Sequence, residues 1–201
     1  IFTYTHVKQS WNLVRLGGFA ETLVAKSRTP VLLLNSLSLP AAASAKILFP
    51  TDFSKESKAG LRHLTALIKP LRSEVLIFNQ IPRPFIYGGT FPGHLSPIDL
   101  LAATKSTEEL RIKKAKELIH ELDTQGVKSE SIVQKQKKSL GYDIDEVAKK
   151  NQVNLIAFAG QGGPLSELLI AGTVRDVILH SLSPVLIFNH RKGKGIQKRK
   201  N

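Results

Sequence analysis

The stretch Ala159-Gly160-Gln161-Gly162-Gly163-Pro164-Leu165-Ser166-Glu167-Leu168-Leu169-Ile170-Ala171-Gly172-Thr173 follows directly on the apolar run Val153 to Phe158. A buried strand therefore runs into a glycine-bearing loop and then into a new helix starting near Thr173 and reaching about Ser181. Amides released by such a loop, with the positive end of the helix, make a place for an anion such as phosphate without any charged side chain.

Outward from this stretch, short apolar runs alternate with helical patterns. Ile47-Leu48-Phe49 reads as a buried strand and Pro50-Thr51-Asp52-Phe53-Ser54 as the turn after it. Ser54 or Ser57 caps a helix with Leu61, Leu64 and Ile68 on one face, stopped by Pro70. Val75 to Phe78 is a second strand. Ile81 to Lys105, with four prolines and Gly88-Gly89, reads as irregular; its Phe85, Tyr87 and Phe91 pin a surface loop to the domain, or form a lid or a partner contact. Ser106 and Glu109 make a capping box for a long helix whose apolar side is Leu110, Leu118, Ile119 and Leu122, closed by Gly126. A third strand around Ser131 to Gln134 is polar enough for a sheet edge. A short helix, Tyr142 to Lys149, buries Ile144, Val147 and Ala148, and Asp143, Asp145 and Glu146 read as its solvated face and acidic first turn. Val185 to Phe188 is the fifth strand.

Strands alternating with helices predict an α/β fold: a doubly wound, open, parallel five-stranded sheet in the order 3-2-1-4-5. Winding reverses between the first and fourth strands, and ligands of open parallel sheets bind beyond the carboxyl ends of the strands at that point. The residues there are Pro50-Thr51-Asp52 and the loop from Ala159 to Gly172. Asp52 suits a polar edge of a base or ribose, and the loop amides with Thr173 suit phosphates.

Residues 1–35 read as strand, loop, helix and strand, an end without a beginning. Gly17 followed by Pro30-Val31-Leu32-Leu33-Leu34-Asn35 recurs as Gly172 followed by Pro184-Val185-Leu186-Ile187-Phe188-Asn189, with glycine-to-proline intervals of thirteen and twelve. Such a repeat points to tandem copies. The expected division is an upstream partial copy at 1–35, a linker at 36–45, a complete domain at 46–190 and a basic tail at 191–201. No methionine occurs among the 201 residues, and the reading is that methionines are not represented in the sequence.

The net charge of +13 suggests a polyanion, but six of the basic residues lie between Arg191 and Lys200 in a stretch that reads as a solvated tail. Arg111, Lys113, Lys114 and Lys116 lack interleaved aromatics for stacking on bases, so nucleic acid is not the expected partner. No window reaches the ~18 unbroken apolar residues of a membrane span, and no membrane contact is expected. The first residues lack the regions of a signal peptide, and the chain has no cysteine; a cytoplasmic protein is expected.

Ile47 to Ser54, the apolar fourth strand with its glycine loop, and Gly172-Thr173-Val174 followed by Pro184-Val185-Leu186 resemble the universal stress protein family. The resemblance covers about residues 46–190, and residues 1–35 look like the last third of a preceding copy. It implies an adenine nucleotide alpha-hydrolase-like fold and a stress-response module that binds ATP or AMP, with magnesium accompanying ATP. ATP-binding members carry glycine, two residues, glycine, nine residues, glycine, then serine or threonine. Counted back from Gly172 and Thr173, the pattern meets Gly162 and then Ala159 in place of the first glycine, with Gly160 one position later. By resemblance Pro50, Thr51 and Asp52 are base-side contacts, with Gln80 where the family puts a small apolar residue against adenine. Gly162, Gly163, Gly172, Thr173 and Val174 are phosphate-side contacts. The same count from Gly17 reaches Val7 and Tyr4, so the upstream copy is not expected to bind nucleotide. Family dimers pair their fifth strands, and within one chain Val31 and Leu33 would pair with Val185 and Ile187 instead.

The six histidines show no paired metal spacing, and neither a Walker A pattern nor a nucleophile elbow occurs, so no metal site and no catalytic residue are expected. Two functions stay open: an adenylate-sensing module in which any hydrolysis is slow and incidental, and a scaffold of the same fold that pairs through its fifth strands and has lost the ligand.

Overall fold

A strand that is apolar at every position must be covered on both faces, and the chain meets that demand with one seven-stranded sheet. The computed structural model describes residues 1–5, 22–24, 27, 29–35, 45–83, 97–160 and 170–189. Gly17, most of the expected linker, the segment with Phe85, Tyr87 and Phe91, the loop with Gly162 and Gly163, and the basic tail lie outside the described residues.

The strands are β1 (Phe2–Thr5), β2 (Val31–Asn35), β3 (Lys46–Pro50), β4 (Glu74–Ile81), β5 (Ser129–Lys135), β6 (Leu155–Gly160) and β7 (Val185–Asn189), in the spatial order β1-β2-β7-β6-β3-β4-β5. From β5 to β7 this is the expected parallel arrangement 3-2-1-4-5. The sheet is larger than the five strands expected because β1 and β2 continue it past β7.

The helices are α1 (Lys55–Ile68), α2 (Pro97–Thr124), α3 (Leu140–Lys150) and α4 (Arg175–His180). Successive strand residues feed opposite cores. Ile47, Phe49, Val75, Ile77 and Ala157 pack with Leu61, Leu64 and Ile68 of α1 and with Ala115, Leu118 and Leu122 of α2. Leu48, Leu76, Phe78, Ile156 and Phe158 pack with Ile144 and Val147 of α3 and with Val177 and Ile178 of α4.

Three helix expectations are corrected. α2 begins at Pro97, a residue whose fixed φ suits a first helical turn, so Ser106 and Glu109 lie inside the helix and form no cap. Its inward stripe runs through Ala115, Leu118 and Leu122, whereas Leu110 is 52% exposed. The helix expected from Thr173 starts earlier, as a π-helical turn Ile170–Val174 that leads into α4.

The antiparallel junction of β2 with β7 pairs Val31 with Ile187, Leu32 with Leu186, and Leu33 with Val185. Since Pro30-Val31-Leu32-Leu33 recurs as Pro184-Val185-Leu186-Ile187, Leu32 meets its own equivalent Leu186, and the pair Val31–Ile187 is the equivalent of the pair Leu33–Val185. This is the self-complementary pattern of a two-fold interface, centred on Leu32 and Leu186 and formed within one chain. Leu32 lies beside Phe2, and Leu186 lies beside Ala157.

α1 lies unusually close to β6. A Cβ added at Gly60 would stand 2.2 Å from the Cβ of Ala159 and 3.1 Å from its Cα, so glycine is required where the helix crosses the strand. Gly60→Ala should destabilise the protein by about 2 kcal/mol through overpacking, despite alanine's better helix propensity. Ala159→Gly in the same chain should restore most of the loss; denaturant unfolding of the two single variants and the double variant measures it.

Candidate functional site

The carboxyl end of β3 is built to hold Asp52 at the surface on a rigid turn. Thr51 is buried, and its amide extends the ladder by donating to Phe78 O at 2.9 Å. Its Oγ1 accepts from Phe53 N at 3.0 Å and shares a 2.7 Å hydrogen bond with Ser57 Oγ, which explains why Ser57 is buried in α1 and is not its cap. The cap is Ser54, whose Oγ accepts from Ser57 N at 3.1 Å. Asp52 is exposed, and its Oδ1 accepts from Ser54 N at 2.9 Å. Between them Phe53 has φ +64, a left-handed conformation that costs a non-glycine residue about 1 kcal/mol or more. Burial of the Phe53 ring and the Thr51 and Asp52 bonds hold it there.

β4 ends beside this turn in a polar network. Buried Asn79 donates through Nδ2 to Thr51 O at 2.7 Å. Its Oδ1 accepts from Arg111 Nη1 at 2.9 Å, and the same nitrogen donates to Gln80 O at 3.3 Å. Gln80 points to the other face of the sheet, where its Nε2 donates to Asp143 Oδ2 at 2.7 Å. Its amide thus has a protein partner.

Asp143 and Asp145 are buried, which corrects their expected place on a solvated face. The reason is that α3 turns these residues toward the sheet and the preceding loop. Asp143 accepts from Lys137 N at 2.9 Å and Lys138 N at 3.1 Å as well as from Gln80. Asp145 meets Lys149 Nζ at 2.6 Å. On the same loop, the Lys137 ammonium is held above its ordinary lysine value by a 2.9 Å hydrogen bond to Glu146, with Asp143 adding to the effect. At the opposite end of the sheet, the hydrogen bond with Lys128 holds Glu74 below the usual carboxylate value and raises Lys128 in turn.

β6 lies beside β3, with Leu48 opposite Ile156, so Ala159 and Gly160 end at the same edge of the sheet as Pro50, Thr51 and Asp52. Ala159 belongs to the α1 face, where Gly60 receives its methyl group. Gly172 is exposed, and among the described residues a Cβ added to it would meet nothing within 4 Å. Thr173 is half-buried, and Val174 turns into the core with Val177 and Ile178. Gly141, in the first turn of α3, brings that helix against this turn: its added Cβ would lie 2.6 Å from Asp176 Cβ and 3.4 Å from Thr173 O.

The expected residues Pro50, Thr51, Asp52 and Gln80 are thus joined through Asn79 and the turn. Gly162 and Gly163 fall outside the described residues. Arg111 and Asn79 were not foreseen. Only the spacing of Arg111 with Ala115, Leu118 and Leu122 could have put it on the inward stripe of α2.

Comparison with protein families matches residues 44–189 to the Universal stress protein family. Among solved structures, hypothetical protein MJ0577 is similar at a TM-score of 0.57 and 25% identity, over 75% of this chain and 99% of that one. A protein from the universal stress protein family of Burkholderia pseudomallei is similar at 0.55 and 14%, over 74% of this chain and 98% of that one. A universal stress protein from Archaeoglobus fulgidus DSM 4304 is similar at 0.63 and 13%, over 95% of this chain but only 60% of that one. No curated protein matches the chain. With residues 44–189 matched and the strands in the order derived above, the chain belongs to the universal stress protein family.

Proposed function

We propose that the crevice between the ends of β3 and β6 binds an adenine nucleotide, ATP or AMP, and that the protein is a cytoplasmic stress-response module without a dedicated catalytic site. The observation that carries this reading is the division of space at β6. The methyl of Ala159, the departure from the family's first glycine, is directed under α1 against Gly60, while no described residue comes within 4 Å of a Cβ built on Gly172. The departure therefore takes no room from a phosphate near Gly172.

In this reading Pro50, Thr51 and Asp52 meet the base and ribose. The amides of Gly160, Gly162, Gly163 and Gly172, with Thr173, meet the phosphates, joined by magnesium when the ligand is ATP. Val174 anchors the turn in the core. Gln80, held by Asp143, keeps only its carbonyl oxygen for the base.

We read residues 1–35 as part of an upstream copy without nucleotide, because Tyr4 and Val7 stand at its glycine positions; the symmetric register of β2 with β7 supports a common origin. The second reading, a scaffold that has lost its ligand, is favoured by the engagement of Gln80 with Asp143 and by the use of the β7 edge inside the chain.

Calorimetry with ATP and AMP separates the two. Saturable binding is expected, weakened at least tenfold, or about 1.4 kcal/mol, in Asp52→Ala and abolished in Gly172→Val. The thermal midpoint of Gly172→Val should stay unchanged, because no described residue comes within 4 Å of a Cβ built there. No binding to the unmodified protein at millimolar nucleotide would leave the scaffold as the function. Denaturing the purified protein should also release bound adenylate, detectable by chromatography of the supernatant.

A further inference from the structure

Arg111 occupies a position where a helix facing a sheet ordinarily carries an apolar residue. It stands on the stripe of α2 that continues through Ala115, Leu118 and Leu122, all buried. A guanidinium drawn into such a place needs compensation. What it receives is polar and uncharged: Asn79 Oδ1 at 2.9 Å and Gln80 O at 3.3 Å, both on Nη1. Glu108, one turn earlier on the helix, bridges instead to Lys135 at 3.1 Å. Among the described residues no carboxylate pairs with Arg111, and its Nε and Nη2 donors meet no acceptor.

The location gives this charge a meaning. Asn79, which accepts from Arg111, donates to the carbonyl of Thr51, next to Asp52. The half-buried cation therefore lies at the carboxyl ends of β3 and β4 on the α2 face of the sheet, whereas Thr173, next to Gly172, lies against Gly141 of α3, which covers the other face. A planar guanidinium with unused donors suits the paired oxygens of a phosphate, and partial burial makes the attraction stronger than in water.

We propose that Arg111 is a ligand-recognising residue that selects an adenylate carrying a second phosphate, separate from the one beside Gly172 and Thr173. The inference rests on the nucleotide reading of the crevice. Asn79 and Gln80 O orient the guanidinium through one nitrogen and leave the opposite edge for the second phosphate. Asp52, exposed nearby, keeps to the hydroxyl and base edges.

The test compares AMP with adenosine 3′,5′-bisphosphate by calorimetry on the unmodified protein, Arg111→Gln and Arg111→Lys, with thermal midpoints recorded for each. The unmodified protein should bind the bisphosphate at least tenfold more tightly than AMP, by a margin that shrinks as salt is raised. Arg111→Gln should bring the bisphosphate down to the affinity of AMP while AMP itself changes less than twofold. Arg111→Lys should keep part of the preference, since it keeps the charge and loses the fork. Equal affinities for the two ligands in the unmodified protein would overturn the inference and leave the adenylate site standing. So would an equal loss of both ligands in Arg111→Gln, which marks a clamp between α2 and β4. Binding of neither ligand would overturn the adenylate reading and this inference together.

Discussion

β3 is the constraint on which the rest of the structure depends. It is a parallel strand whose central residues Ile47, Leu48 and Phe49 are buried, so it must be paired along both edges and covered on both faces. β4 and β6 supply the edges. α1 and α2 cover one face, and α3 and α4 the other. Right-handed connections then make the chain leave β3 in one direction and come back on its other side, and the crevice at its carboxyl end follows from that reversal.

The walls of the crevice depend on polar groups that would be costly if left unpaired. Thr51, Asn79, Arg111, Gln80 and Asp143 form one chain of hydrogen bonds across the ends of the central strands, linking α2 on one face to α3 on the other. Such a network holds the turn bearing Asp52, including the left-handed Phe53, in one geometry. In the proposed nucleotide site such rigidity would favour binding, because a site already held in its binding shape spends less of its binding energy on ordering. The glycines act differently. Gly60 and Gly141 allow helices to approach a strand and a turn, whereas at Gly172 no described residue would meet an added Cβ.

The junction of β2 with β7 solves a separate problem. β7 is apolar along its length, and an exposed edge of that kind invites pairing with another chain. The repeated Pro-Val-Leu run supplies a matching edge from the same polypeptide, and the antiparallel register centred on Leu32 and Leu186 lets two copies of one pattern satisfy each other.

The strand order from β5 to β7 and the two-sided core were legible from Ile47-Leu48-Phe49, Val75 to Phe78 and Leu155 to Phe158, because burial on both faces leaves an unbroken apolar run that few arrangements can accommodate. The recurrence of the Pro-Val-Leu run was legible because both edges of the one junction between β2 and β7 carry it. Side-chain commitments were not legible. Leu110 and Arg111 are neighbours in the chain, and only the position of the sheet decided that the leucine faces water and the arginine faces the strand ends. Asp143 read as a surface acid until α3 placed it against Gln80 and the loop amides. Ala159 read as a flaw in a glycine pattern until α1 met it with Gly60. Sequence by itself determined which segments are strands and how they are ordered, since pattern and connection rules act along the chain. Tertiary structure alone decided the partner of each polar group and the space left at each glycine, since both depend on residues brought together from distant parts of the chain.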